Sequence, residues 1–100
     1  MKSPEQCQDM EAIRADVNAI DREIIRLLGR RLAYVRSAVR FKPDEESIRR
    51  PDHWDRFFAQ RRAWGEEEGY DPKVIEAIYR RLYDYTVEVQ LGLHRKTAGK

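Results

Sequence analysis

The sequence predicts an all-α protein with three helices per chain and a long first helix. Apolar residues recur at steps of three and four positions along most of the chain, which is the period of an amphipathic helix. The four prolines among 100 residues lie between the periodic stretches rather than inside them. Charged residues make up 38% of the chain, which is typical of helices whose exposed faces carry interspersed charges.

The first helix is predicted to run from about Asp9 to Phe41. The stretch Ser3-Pro4-Glu5-Gln6 is typical of a helix cap, with a proline at the first helical position and a capping-box glutamine, and Asp9 is a second candidate start. An apolar stripe then continues along nearly the whole stretch. Because a proline follows Lys42, helical backbone is disfavoured at Lys42 and the helix is expected to end before it.

Two further helices are expected after a polar loop over residues 43–50. Pro51-Asp52 opens the second helix, which contains an aromatic core and stops at Gly69. Asp71-Pro72 caps the third, which is expected to fray over residues 96–100. The side chains expected to be buried are Trp54, Phe57, Phe58 and Trp64 on the second helix, and Val74, Ile75, Ile78, Leu82, Tyr85, Thr86, Val89 and Leu93 on the third.

The length of the first helix bears on the assembly. Its ~33 residues extend roughly 50 Å, whereas a compact chain of this size has a radius of gyration of about 13 Å. The helix therefore projects beyond its own fold, and its apolar stripe needs a partner over the projecting half. We expect an intertwined homodimer related by a two-fold axis, each chain forming a single helical domain over residues 1–100.

Composition argues against several classes of function. The net charge is +2, and 15 Arg and 5 Lys are mixed with 18 acidic residues, so nucleic-acid binding through a continuous basic stripe is not expected. Cys7 is the only cysteine, and His53 and His94 are far apart, so neither a disulfide nor a metal site is expected. No apolar run approaches the ~18–20 residues of a membrane span. We expect a cytoplasmic protein that does not bind membranes.

Arg31 breaks the apolar stripe of the first helix. It lies between Leu28 and Val35, where the periodicity requires a core residue. A guanidinium is not buried without a partner, so Arg31 lies either in an internal ion pair or at an anion site inside the helical bundle. Lys42 follows on the same face at roughly 16 Å along the axis. Considered alone, Lys42 is better explained as a helix-end lysine that compensates the C-terminal dipole.

Arg14 lies beside the stripe near the other end of the first helix. About 25 Å of straight helix separates it from Arg31, which is too far for both to hold one small ligand within a single chain. An antiparallel copy of the helix would bring the partner's arginine across, and the site would then be composite. The alternative is a surface arginine paired with a carboxylate.

Other candidate pocket residues lie on the second and third helices. Thr86 and Gln90 follow a helical row and could face an interior pocket, although a buried Gln90 could simply bond to a backbone carbonyl. His53, Trp54 and Asp55 lie at the start of the second helix and could line the same pocket, or Asp55 could be the acidic residue of a cap at Asp52. The chain lacks a Gly-rich phosphate loop and a nucleophile paired with a base, which favours catalysis by positioning and electrostatic stabilisation.

At these residues the sequence resembles the all-helical (class II) chorismate mutase family, and within it the isochorismate-pyruvate lyases. The resemblance covers almost the whole chain. Its strongest parts are Ser3-Pro4-Glu5-Gln6-Cys7, Ile13-Arg14, Ala19-Ile20-Asp21, Leu28-Gly29-Arg30-Arg31, Arg40-Phe41-Lys42 and Arg62-Ala63-Trp64 with Glu66-Glu67.

The resemblance implies a cofactor-free, metal-free, pericyclic reaction that converts isochorismate to salicylate and pyruvate for siderophore biosynthesis, with weak chorismate mutase activity. Arg14 of one chain, with Arg31, Lys42 and Gln90 of the other, would bind the dianionic substrate. Lys42 and Gln90 would be catalytic, and residues 43–50 would close over the complex. The alternatives are a true chorismate mutase and, from another class, a non-catalytic helical dimer that binds anionic partners.

The start of the second helix departs from the pattern of the mutases. Mutases of this family usually carry an arginine there, followed by an acidic or amide residue. This chain has His53, Trp54, Asp55 and Arg56 at that place. Trp54 is similar to the less polar wall of the lyases, whereas Asp55 leaves the mutase alternative open.

Overall fold

The computed structural model describes residues 3–50 and 53–98. Within these ranges the chain is helical and contains no strand, which confirms the predicted fold class. The described chain has three long helices and one short helix. The long helices are α1 (Met10–Ala38), α3 (Trp54–Glu67) and α4 (Pro72–Ala98), and the short helix α2 (Glu45–Arg49) lies between α1 and α3 in the sequence. None of the helices described has the apolar length that crossing a bilayer requires. The chain divides into two compact units, Met1–Tyr34 and Val35–Lys100.

In the first unit, α1 is capped by Asp9 rather than by the Ser3 stretch. Asp9 Oδ1 accepts a hydrogen bond from Ala12 N at 2.8 Å, which satisfies one of the free amides of the first turn. The Ser3 amide instead donates to Gln6 Oε1 at 3.0 Å, and this box closes a separate 3-10 turn over Pro4–Gln6. Of the two candidate starts, the second is therefore correct.

No residue of α1 is buried. The predicted apolar stripe is present but uncovered in the single chain: Val17, Ile20 and Ile24 are 47%, 45% and 49% exposed. A helix with one apolar face normally buries that face against another element. The stripe within the first unit therefore lacks the cover that its pattern requires.

The second unit begins with the last turn of α1 and its exit. A 3-10 turn over Val39–Phe41 tightens the end of the helix, and Lys42 leaves it with φ −108° and ψ 102°. This extended backbone is what the following proline favours. The predicted helical end at Phe41 is confirmed.

The segment predicted as a polar loop contains α2. Asp44 caps this helix and accepts from Ser47 N at 2.8 Å, and Arg50 ends it in the left-handed region at φ 41°. Ile48 is only 2% exposed and packs with Val87 and Leu91 of α4. The loop prediction was therefore incomplete, because a five-residue helix with one apolar side chain has no periodicity to detect.

The remaining helices form a hairpin. His53 is the N-cap of α3, and the predicted start at Pro51-Asp52 lies outside the described residues. Gly69 ends the helix at φ 71°, with Tyr70 N donating to Gly65 O at 2.8 Å, as in a Schellman motif. Asp71 Oδ1 accepts from Lys73 N at 2.8 Å, which confirms the predicted cap of α4.

Three of the residues predicted to be buried on α4 are exposed in this chain. Val74, Ile78 and Tyr85 are 42%, 45% and 41% exposed, and on α3 Trp64 is also exposed. The buried stripe of α4 instead includes Val87 and Leu91, because Ile48 of α2 packs there. The predicted fraying is also wrong for residues 96–98, since α4 continues to Ala98; residues 99–100 lie outside the described chain.

Candidate active site

Lys42 lies at the exit of α1, where its ammonium group has a backbone partner. Its Nζ donates to the carbonyl oxygen of Ser47 in α2 at 3.1 Å. Burial lowers the pKa of Lys42 from its ordinary value, and the nearby positive charge of Arg50 lowers this pKa further. An ammonium group has three hydrogens, so one bond to Ser47 leaves donors for an anionic ligand.

Gln90 and Thr86 lie one turn apart on α4 and are both buried, at 5% and 9% exposure. Gln90 Nε2 donates to the Val35 carbonyl at 2.8 Å, which joins α4 to the last turn of α1. Of the two roles considered for Gln90, the hydrogen bond to a backbone carbonyl is therefore present. The side chain amide still has a second N–H and its Oε1, so the bond orients Gln90 without using all of its polar groups.

A cleft of about 530 Å³ lies beside Lys42, between the end of α1 and the last turns of α4. Among the described residues that line this cleft, Arg36, Arg40 and Lys42 carry positive charge, His94 is the fourth basic side chain, and none carries a carboxylate. Fixed positive charge with low-dielectric walls attracts anions. Gln90 is not among the described lining residues, and it precedes His94 by one turn of α4.

The two arginines of the predicted site lie in the first unit. Arg14 is exposed and Arg31 is half-buried, and both belong to α1 within Met1–Tyr34. Both lie on the continuous helix α1, so the rise of an α-helix places them about 25 Å apart along its axis. Within one chain, therefore, these two guanidinium groups are not brought to a common ligand.

The three candidates at the start of α3 serve different structural roles. Trp54 packs edge-on against Tyr83 at 4.1 Å between ring centroids, and its indole N–H donates to the Arg49 carbonyl. The ring of His53 lies 5.3 Å from that of Trp54. Asp55 is exposed in the first turn of α3. Since His53 is the N-cap, Asp55 is the second helical residue and not the third after a cap at Asp52, which lies outside the described residues.

Sequence reasoning missed two features near Lys42. His94 Nε2 lies 3.2 Å from the Pro43 carbonyl, and Ser47 supplies the carbonyl that holds Lys42. The spacing of His94 from Gln90 on one helix was a usable signal for the first. No sequence signal indicated the Ser47 carbonyl, because every residue type has a backbone carbonyl. In the described ranges, no group of three His, Cys, Asp or Glu residues lies close enough to hold a metal ion.

Comparisons with known proteins identify the family of the chain. The profile of the family chorismate mutase type II matches residues 13–91. Isochorismate pyruvate lyase of Pseudomonas aeruginosa is 34% identical over 99 residues, which cover 99% of this chain and 98% of that protein. The matched range includes the whole of α2 and α3 and most of α1 and α4, with all of the candidate site residues. The chain belongs to the chorismate mutase type II family.

Proposed function

We propose that this protein is an isochorismate pyruvate lyase that converts isochorismate to salicylate and pyruvate. The observation that carries the proposal is the 34% identity to a protein of that name over nearly the full length of both chains. The reaction is an internal rearrangement and cleavage: the ether C–O bond breaks, a ring hydrogen moves to the leaving enolpyruvyl group, and no atom is gained or lost. It requires positioning and charge stabilisation rather than a nucleophile.

The basic and amide side chains suit these requirements. In the proposed mechanism, arginines form charge-assisted bonds to the two carboxylates of the substrate and hold the enolpyruvyl arm over the ring. Lys42, steadied by Ser47, stabilises negative charge that develops on the ether oxygen. Gln90, oriented by Val35, donates a hydrogen bond to that oxygen or to a carboxylate.

We further propose that the active unit is a homodimer with composite sites. The uncovered stripe of α1 supports this, because a second antiparallel copy would cover it and would bring its own Arg14 towards the Arg31 of the first chain. The helical separation of these residues, about 25 Å, makes a shared ligand impossible without the second copy. Each dimer would then contain two equivalent sites.

The activity is tested by the products formed from each of two substrates. We expect purified protein to release salicylate and equimolar pyruvate from isochorismate, with salicylate followed by its fluorescence. Lys42→Ala should abolish most of this turnover, with circular dichroism as the control for folding. Efficient formation of prephenate from chorismate without any salicylate from isochorismate would reject the lyase.

A chorismate mutase is the second candidate, favoured by the family to which the chain belongs. Both substrates carry two carboxylates and an enolpyruvyl ether, so the same groups could bind either. Weak prephenate formation beside strong salicylate formation is the outcome we expect. A non-catalytic helical dimer predicts no turnover of either substrate and binding of anionic partners that weakens steeply with salt.

The composite site is tested by mixing two inactive chains. Arg14→Ala and Lys42→Ala proteins, exchanged under mild denaturation, should form mixed dimers in which one of the two sites contains both native residues. Recovery of salicylate formation in the mixture is the expected result. Absence of recovery, despite subunit exchange detected by mass spectrometry, would contradict the composite arrangement.

We place the reaction in the supply of salicylate for siderophore biosynthesis in the cytoplasm. Deletion of the gene should abolish salicylate release during iron limitation, and cell fractionation should recover the protein with cytoplasmic markers. Unchanged salicylate release in the deletion strain would contradict this role.

A further inference from the structure

The segment over residues 43–50 cannot fix its own position. Its helix, Glu45–Arg49, has only five residues, and isolated helices shorter than about 12–15 residues are marginal in water. The bond from Ser47 N to Asp44 Oδ1, at 2.8 Å, stabilises the turn but does not attach it to the rest of the protein. The position of the segment therefore depends on its contacts with other elements.

An apolar side chain supplies the principal attachment. Ile48 is the only apolar residue between Asp44 and Arg50, and it is 2% exposed against Val87 and Leu91 of α4. Burial of an isoleucine side chain stabilises a contact far more than an exposed polar pair does. Because Val87, Leu91 and the Tyr83 ring packed against them all belong to α4, Ile48 attaches the segment to that helix in particular.

Two polar contacts with the same helix lie near the beginning of the segment. Arg95 Nε donates to Glu45 Oε1 at 3.1 Å, and Nη2 of the same guanidinium lies 3.1 Å from that oxygen in an ion pair. One residue earlier on α4, His94 Nε2 lies 3.2 Å from the Pro43 carbonyl. The Arg95 and Glu45 side chains are 63% and 48% exposed, so their pairing is weaker than the burial of Ile48, and it adds a second point of contact with α4.

The attached segment in turn holds Lys42 through the Ser47 carbonyl, 3.1 Å from Nζ. A lysine side chain is long and flexible, and ordering it has an entropic cost. We propose that Arg95 and Ile48 are positioning residues. By attaching the segment to α4 they fix the Ser47 carbonyl, which in turn fixes the ammonium group of Lys42 relative to that helix. The inference rests on the proposed function in one respect, namely that Lys42 acts on the substrate.

The attachment is tested without substrate by amide hydrogen exchange of residues 44–50. Arg95→Met removes the charge and keeps a flexible side chain, and Lys96→Met is the matched control at the exposed basic residue that follows. We expect exchange about two- to fivefold faster in Arg95→Met, at least about tenfold faster in Ile48→Ala, and unchanged in Lys96→Met. Circular dichroism checks the fold of each variant, and the exposed Arg95 keeps the test valid if Ile48→Ala does not fold.

Turnover tests the positioning. Arg95→Met should lower kcat by about two- to fivefold with little change in KM, because the affected interaction acts in the transition state. The charge-reversed pair Glu45→Arg/Arg95→Glu should restore both slow exchange and kcat, which a general loss of stability would not produce. Unchanged exchange in both Arg95→Met and Ile48→Ala would overturn the attachment, and faster exchange with unchanged kcat would overturn the positioning. Absence of any turnover by the native protein would instead refute the proposed function.

Discussion

Lys42 combines two opposing influences on one ammonium group. Burial and the charge of Arg50 disfavour its protonated form and lower its pKa, whereas the Ser47 carbonyl accepts a hydrogen bond from it. The first effect exceeds the second, since the net shift is downward. A lysine with a lowered pKa loses its charge at a lower pH than an ordinary lysine.

We therefore expect kcat/KM, which reports the free enzyme, to fall as the pH rises through the lowered pKa of Lys42, because the neutral amine cannot stabilise charge on the ether oxygen. The effect on stability has the opposite sign. The unfolded chain binds this proton more tightly than the folded one, so this group makes the free energy of unfolding increase with pH between the two pKa values. A pH profile of kcat/KM measures the first effect. In Lys42→Arg, where the guanidinium stays charged, this decline should disappear, and an identical decline in both proteins would contradict the assignment.

Gln90 is the buried amide of the proposed site, and it also connects two helices. Replacing it with leucine removes the donor to the Val35 carbonyl and the proposed bond to the substrate. We expect Gln90→Leu to lower kcat/KM by about tenfold to a hundredfold, the range of one hydrogen bond to a charged group, and to lower stability by about 1 kcal/mol. Steady-state kinetics and urea unfolding separate the two effects. A loss of stability without any loss of kcat/KM would limit Gln90 to a structural role.

At the scale of elements, α3 and α4 pack closely because one position of α3 has no side chain. A Cβ built on Gly65 would lie 2.7 Å from Cγ1 and 3.4 Å from Cβ of Ile75. Both atoms are near the backbone of a β-branched residue with few rotamers, so the clash cannot be relieved by moving a flexible tip. The hairpin therefore depends on glycine at this site.

Gly65→Ala should lower the free energy of unfolding by about 1–2 kcal/mol, because overpacking of about 1–3 kcal/mol exceeds a gain in helix propensity of at most about 1 kcal/mol. Gly92→Ala is the matched control: this glycine also lies inside a helix, and an added Cβ meets nothing within 4 Å. Chemical denaturation should find the control as stable as the native protein or more stable. Equal stabilisation by both substitutions would show that the hairpin can open at no cost.

The helix boundaries were largely predictable, whereas the burial on α4 was not. Pro43, Gly69 and Asp71 act on the backbone of their own neighbours, so their effects can be recognised without knowledge of the fold. Which stripe of an amphipathic helix is buried depends on what packs against it. The buried stripe of α4 includes Val87 and Leu91 because of Ile48, which lies in a segment too short for any periodic signal.

The predicted site residues show the same division between local and long-range signals. Arg31 and Lys42 are distinctive in the sequence because each interrupts or ends a periodic pattern. The partners of Lys42 and Gln90, by contrast, are the backbone carbonyls of Ser47 and Val35. Any residue offers such a carbonyl, so its role depends on the fold and not on the local sequence.

At the scale of the whole molecule, the first unit contains two of the proposed site residues, Arg14 and Arg31, on a helix whose apolar stripe is exposed. No residue of α1 is buried, although the stripe has the apolar period of a packed helix. Exposed apolar area of this extent on one face is typical of an interaction surface. The same helix places Arg14 and Arg31 too far apart to share a ligand. The homodimer proposed above would account for both the uncovered stripe and the separation of the two arginines.

The proposed homodimer predicts that a charge in the middle of the stripe abolishes both assembly and activity. Ile20→Lys places an ammonium group where the second copy would pack, and an unpaired charge in an apolar interface is strongly unfavourable. We expect sedimentation equilibrium to find a monomer, with reduced helical signal and with salicylate formation lost, although Lys42 and Gln90 are unchanged. Asn18→Lys is the matched control, because Asn18 lies about 200° around the helix from Ile20 and is exposed.

The control protein should remain dimeric and active. The two measurements must also change together across protein concentration: if Ile20→Lys only weakens the dimer, its specific activity should rise with concentration in proportion to the dimeric fraction. Full activity in a protein that sedimentation finds to be monomeric would contradict the composite site, because one chain would then be sufficient to hold both carboxylates of the substrate.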